Sequence, residues 1–131
     1  MRGQWWNRFC LRVVDMLLSF SEPIWFYPEP VDFRKQLDGL VLLVSDCLEK
    51  LPTSGHLFLF RNRSSNKVKL LWWDRNGFWL FYKRLEKGRF IFPSLGAGAL
   101  ALSRDQLSWL LSGLDCLKQP LLPEVKVTNF Y

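Results

Sequence analysis

Nine basic residues lie between His56 and Pro93: Arg61, Arg63, Lys67, Lys69, Arg75, Lys83, Arg84, Lys87 and Arg89. Only Asp74 and Glu86 oppose them, so the stretch carries +7 while the rest of the 131-residue chain sums to −1. Interleaved with these charges are Trp72, Trp73 and Trp79. Ammonium and guanidinium groups neutralise phosphates, and indole faces stack on bases. Such a mixture suits an anionic polymer, and the chemistry it offers is grip without bond-making.

Residues for a reaction are scarce. His56 is the only histidine, which removes any paired-histidine metal site, and at the head of an apolar run it reads as a structural imidazole. Cys10, Cys47 and Cys116 are odd in number and far apart, so neither a disulfide framework nor a zinc cluster fits. Cys47 and Cys116 read as core fillers. A nuclease or strand transferase needs three carboxylates around two metal ions. Among Asp32, Asp38, Asp74, Glu86, Asp105 and Asp115, Asp32 reads as a helix cap, Asp74 as a turn opener and Asp105 as a first-turn helical residue. The expectation is no catalytic residue, no metal and no cofactor.

The elements that would carry these side chains follow from periodicity. Asp32 to Leu51 reads as one helix, with Phe33, Leu37, Leu40, Val44, Cys47, Leu48 and Leu51 on its apolar side and Pro52 as its stop. Arg34, Lys35 and Asp38 fall on its outer side. Pro23, Pro28 and Pro30 bracket a short strand, Ile24 to Tyr27. From His56 the period becomes two, and HLFLFR, KVKLLWW, FWLFYKR and RFIF read as four strands. The turn Asp74-Arg75-Asn76-Gly77 suits a glycine at positive φ, setting Trp73 opposite Trp79, Leu71 opposite Phe81 and Lys69 opposite Lys83; a two-residue Asn76-Gly77 turn would shift the pairing by one. SLGAGA reads as a connector. Ser103 and Gln106 form a capping box, opening a helix that points Leu107, Leu110, Leu111 and Leu114 inward and stops near Gly113.

The predicted fold is α+β: a single domain in which a four-stranded antiparallel meander is flanked by a helix on its N-terminal side and another on its C-terminal side. Residues 1–22 read as an extension with helical character, 23–116 as the domain and 117–131 as an irregular tail. No run approaches the ~20 apolar residues of a membrane span, and nothing suits a secretory signal, so a soluble chain in a reducing cytoplasm is expected.

Two arrangements of the meander suit the pattern. Helices cover both faces and the lysines fringe the sheet, or one face stays open as a platform. In the second, Arg61, Arg63, Lys67, Lys69, Lys83, Arg84, Lys87 and Arg89 contact phosphates, and Trp73 or Trp79 stacks on unpaired bases. A protein partner would instead use Arg34, Lys35 and Asp38.

The runs DFRKQLDGL (32–40), HLFLFRNRSSNKVKLLWWDRNGFWLFYKRLEKGRFIFP (56–93) and LSRDQLSWLLSGLD (102–115) resemble the small accessory protein of the sixty-six family of bacterial insertion sequences, the Orf2-like protein also called TnpB. It is unrelated to the RNA-guided nuclease of that name. The resemblance runs from Ile24 to Asp115 and implies a non-catalytic accessory of transposition, working beside a separate transposase that carries the catalytic carboxylates. It leaves the direct partner open: the positive segment with its rings suggests the DNA of the element ends, and the docking alternative suggests that transposase or a second accessory protein. The recurrent residues it carries over are Asp32, Arg34, Lys35, Asp38, Gly39, Leu40, Lys69, Trp73, Asp74, Gly77, Lys83, Arg84, Leu85, Gly88, Phe90 and Pro93. Phe33, Gln36 and Phe92 depart from the family pattern.

Overall fold

The structure is a computed structural model that describes residues 21–93 and 98–118. Its elements are β1 (Ser21–Phe26), α1 (Leu37–Leu42) running into a π-helical turn (Leu43–Cys47), β2 (His56–Arg61), β3 (Lys67–Asp74), β4 (Gly77–Arg84), β5 (Leu100–Leu102) and α2 (Arg104–Leu111). They form one five-stranded sheet in the order β4-β3-β2-β1-β5.

The strands β2 and β3 are buried from end to end except at their tips, because a helix lies over each face. On one face Leu107 and Leu110 of α2 pack on Ile24, Phe26, Leu57, Leu59, Leu70 and Trp72. On the other, Leu40 and Val44 pack with Leu48 and Val31 on Phe58, Phe60 and Leu71. Two-sided burial accounts for the near-continuous apolar reading of HLFLF and KVKLLWW, since alternation survives only where one face is wet.

The α+β class and the two flanking helices hold, but the meander has three strands, not four. The free edge of β2 is taken by β1, which runs parallel to it. Parallel neighbours need a long crossover, and the segment bearing α1 supplies it. The ladder shifts register between Ser21 and Trp25, where Pro23 has no N–H to offer. The run RFIF is not a strand. Gly88 at φ +80° turns the chain back, and Phe90 and Phe92 enter the α2-side core, Phe92 stacking on Phe26 at 5.5 Å. Leu100–Leu102 instead closes the far edge against β1.

The first helix is shorter than periodicity suggests. Asp32 does not cap it; the carboxylate accepts from the Arg34 N–H at 2.9 Å, organising a separate turn, and α1 opens at Gln36 without a side-chain cap. The helix ends before Pro52, and Glu49 takes φ +53°. Cys47 and Leu51 are therefore exposed instead of inward. Cys116 is buried, and burial, with Asp115 as a lesser cause, pushes its thiol above the usual range.

In α2 the capping box is complete. Ser103 Oγ accepts from the Gln106 N–H at 3.1 Å, and Gln106 Oε1 accepts from the Ser103 N–H at 2.9 Å. Gly113 at φ +88° ends the helix, with its N–H on Leu110 O and the Leu114 N–H on Trp109 O, a Schellman closure. That closure swings Leu114 outward, against the inward position its spacing predicts. The expected helical extension and most of the C-terminal tail lie outside the described residues.

Replacing Ser103 with Ala leaves the Gln106 amide unpaired and is expected to destabilise the domain by about 1 kcal/mol. Urea unfolding should show a lower midpoint at unchanged slope.

Candidate nucleic-acid interface

The hairpin β2–β3 turns through Asn62–Asn66, and Asn62 holds it. Its side-chain oxygen accepts from the Asn66 and Lys67 amides at 3.1 and 3.0 Å, and its Nδ2 donates to Asn66 Oδ1 at 2.7 Å. The chain leaving β4 is stitched to the same turn: the Leu85 N–H reaches Asn66 O at 2.8 Å and the Phe90 N–H reaches Ser65 O at 2.7 Å. Lys67 stands opposite Arg84 in the β3–β4 ladder. Hairpin geometry therefore collects Arg61, Arg63, Lys67, Arg84, Lys87 and Arg89 at one end of the sheet. The turn before α1 joins them, because the Val31 N–H donates to Arg61 O at 2.8 Å and Asp32 and Arg63 line one cleft. Arg34 and Lys35, expected on a separate docking surface, thus belong to the same end as the phosphate candidates; Asp38 is exposed on α1.

Not every cation faces water. Lys69 is 6% exposed, donates to the carbonyls of Phe33 at 3.1 Å and Lys35 at 2.8 Å, and sits 4.9 Å from the Phe33 ring centre. Burial lowers its pKa from the ordinary lysine value. Lys83 donates to Leu111 O at 2.8 Å, closing the last turn of α2, where a cation also suits the helix dipole. Arg61 donates to Pro28 O at 3.0 Å and lies 5.6 Å from the Phe92 ring centre. Arg84 pairs with Glu86 at 2.9 Å, and Arg34 with Asp32 at 2.6 Å. Arg63, Lys67, Lys87 and Arg89 make no ion pair among the described residues, and all but half-buried Lys67 are exposed.

The tryptophans are arranged differently from the expected platform. The β3–β4 loop has two residues, Arg75 and Asn76, and Arg75, not Gly77, takes the positive φ, +55°. Every predicted partner moves by one: Trp73 opposes Phe78, Trp72 opposes Trp79, Leu70 opposes Phe81 and Lys69 opposes Tyr82. Opposed residues share a face, so Trp73 and Trp79 lie on opposite faces. Trp73 is half-buried, edge-on to Phe78 at 4.9 Å. Trp79 is 40% exposed, stacked on Phe81 at 6.0 Å with its Nε1 donating to Asp74 at 3.4 Å. Trp73 stands six positions beyond Lys67 on β3, about 20 Å along the strand.

His56 has the structural role its position predicts: Nδ1 accepts from Trp25 Nε1 at 3.1 Å. No group of three or more His, Cys, Asp or Glu side chains suited to a metal ion occurs among the described residues. Tyr82 and Gln36, flanking the cationic end, were not marked as site residues by sequence; the alternation that places Tyr82 beside Lys69 depends on the register of the hairpin.

Fold and site together define a small α+β domain that gathers cations from separate stretches at one end of its sheet. The chain belongs to the IS66 Orf2 like protein family, whose model matches residues 22–120. Membership places it among the accessory proteins of insertion-sequence transposition, a family not known for catalysis, and associates it with the IS66 transposition machinery. It is similar to two proteins of Sinorhizobium fredii (strain NBRC 101917 / NGR234). The Uncharacterized protein y4hO is 45% identical over 92 residues, covering 70% of this chain and 80% of the relative. The Uncharacterized protein y4jC is 42% identical over 101 residues, covering 77% and 86%. No solved structure matches the chain. No helix among the described residues is long and apolar enough to cross a membrane.

Replacing Lys69 with Met removes the donor from two carbonyls and is expected to cost about 1–3 kcal/mol in urea unfolding. Asp32 gives a second check. The Arg34 side chain first, and its N–H second, hold the carboxyl down at about 2 against an ordinary 3.8. The stabilisation linked to it is complete above 3.8 and is lost as pH falls through about 2. In Arg34→Ala the Asp32 carboxyl, followed by NMR, should titrate closer to 3.8.

Proposed function

We propose that the chain grips the phosphate backbone of DNA at the ends of its element through the cationic end of the sheet, while the transposase of the same element cuts and joins. The supporting observation is the convergence of Arg61, Arg63, Lys67, Arg84, Lys87 and Arg89, of which Arg63, Lys67, Lys87 and Arg89 carry no paired carboxylate among the described residues. Buried Lys69 and exposed Lys83 support this surface through backbone carbonyls, one holding the turn before α1 and the other the end of α2. Exposed Trp79 remains a stacking candidate of its own, and Trp73 contributes mainly packing. The cytoplasm is the compartment in which such a protein meets its DNA.

A second reading is favoured by the open edge of the sheet. β4 is a terminal strand of eight residues that exposes Trp79 and Tyr82. Unpaired edges and exposed aromatic residues are where another polypeptide docks. In that reading the transposase, or a second accessory protein, sits on β4 and on Arg34, Lys35 and Asp38.

Fluorescence anisotropy on duplex element ends should show affinity falling with log salt at a slope of about −0.9 per phosphate neutralised. Replacing Arg63, Lys67, Lys87 and Arg89 together with Ala should flatten that slope by about 3–4. No binding at low salt, with the transposase still co-purifying from nuclease-treated lysate, would move the function to the docking reading.

A further inference from the structure

Beside the cationic end, on the α1 side of the sheet, lies a cleft of ≈ 340 Å³ lined by Phe33, Gln36, Lys67, Lys69, Leu80 and Tyr82. That volume falls at the low end of the ~300–1,000 Å³ typical of small-ligand sites. Its chemistry is mixed and one-signed: two rings, one carboxamide, two ammonium groups and no carboxylate. The Phe33 and Tyr82 rings meet edge to face, with centroids 6.3 Å apart and planes at 62°. Tyr82 remains 54% exposed, so its ring can still receive a planar partner.

The polar groups are poised rather than spent. Lys69 gives two donors to the Phe33 and Lys35 carbonyls, and an ammonium has three. Its position is thereby fixed at the floor of the cleft. Lys67, two residues earlier on the same strand, projects to the same face at the rim. The Gln36 carboxamide, both donor and acceptor, makes no hydrogen bond among the described residues. An inorganic anion would use the ammonium groups and leave the rings idle. An apolar ligand would strip water from Lys67 and Gln36 without replacing it. A nucleotide uses all of them.

We propose that this cleft receives one unpaired nucleotide, its base stacked on Tyr82 against Phe33, its edge met by Gln36 and its phosphate by Lys67. The inference rests on the DNA-backbone reading above: the cationic end holds the duplex, and the cleft takes a nucleotide that has left it. A free nucleotide and an unpaired nucleotide of a strand end share this chemistry.

The test uses the full chain and three probes: a blunt duplex, the same duplex with a short single-stranded tail containing 2-aminopurine, and 2-aminopurine deoxynucleotide monophosphate alone. The tailed duplex is expected to bind about tenfold tighter than the blunt one, with quenching of the tail fluorophore as it stacks. Tyr82→Leu and Gln36→Ala, neither of which changes the charge of the cationic end, should each abolish that preference and leave blunt-duplex affinity unchanged. Lys87→Ala should weaken both duplexes equally. Quenching of the monophosphate at the affinity of the tailed duplex would identify the ligand as the free nucleotide; tail binding that it does not match would identify the strand end. Salt-sensitive binding of the blunt duplex, with no tail preference and no effect of Tyr82→Leu or Gln36→Ala, would overturn the cleft while leaving the backbone reading intact. Tail or nucleotide binding that depends on Tyr82, with no blunt-duplex binding at low salt, would overturn the backbone reading instead.

Discussion

Strands β2 and β3 carry apolar side chains on both faces, and both faces have to be kept from water. One layer of cover would leave either Phe58, Phe60 and Leu71 or Leu57, Leu59 and Leu70 exposed, each side chain costing about 1.5–3 kcal/mol. The rest of the architecture follows from that demand. The helix α1 has to cross over one face, which makes β1 and β2 parallel; α2 has to return over the other, which places β5 at the far edge. Phe90 and Phe92 fill the α2 side instead of extending the meander.

Closing both faces leaves few places where the protein can meet a partner. Among them are the ends of the strands, the outer edge of β4 and the cleft beside Tyr82. Cations occupy the end formed by the β2–β3 turn, and their arrangement separates two uses of positive charge. Lys69 and Lys83 are turned onto backbone carbonyls, which accept from their ammonium groups. Arg63, Lys87 and Arg89 project into solvent from turns, where a charged side chain costs nothing in packing. The segments from which the outer set projects are held by the Asn62 side chain and by the Leu85 and Phe90 amides on the Asn66 and Ser65 carbonyls, so a phosphate would meet a surface already held in place.

Much of this was legible in the chain. The Ser103–Gln106 box, the glycine stop at Gly113, the strands from His56 to Arg84 and the structural role of His56 all depend on residues close in sequence or on short-range periodicity. The misreadings share another cause. RFIF has strand composition, but Gly88 and the vacancy in the α2-side core decided its path. Leu51 and Cys47 keep helical spacing with Leu40, yet the chain leaves the helix before they can point inward. The hairpin register shifted by one residue because Arg75 took the positive φ that Gly77 was free to adopt. A one-residue slip moves every side chain to the other face, and it moved Trp79 away from Trp73 and brought Tyr82 beside Lys69.

By itself, the chain determined its composition-level chemistry: a positive middle segment interleaved with rings, an α+β pattern, and membership of a transposition accessory family. Those properties are sums and short motifs, and folding cannot alter them. Which cations face solvent, which rings share a face and where Asp32 comes beside Arg63 were decided only by the tertiary structure. Each depends on strand register, on parallel or antiparallel pairing and on what a helix covers, and these are settled by burial between segments distant in sequence.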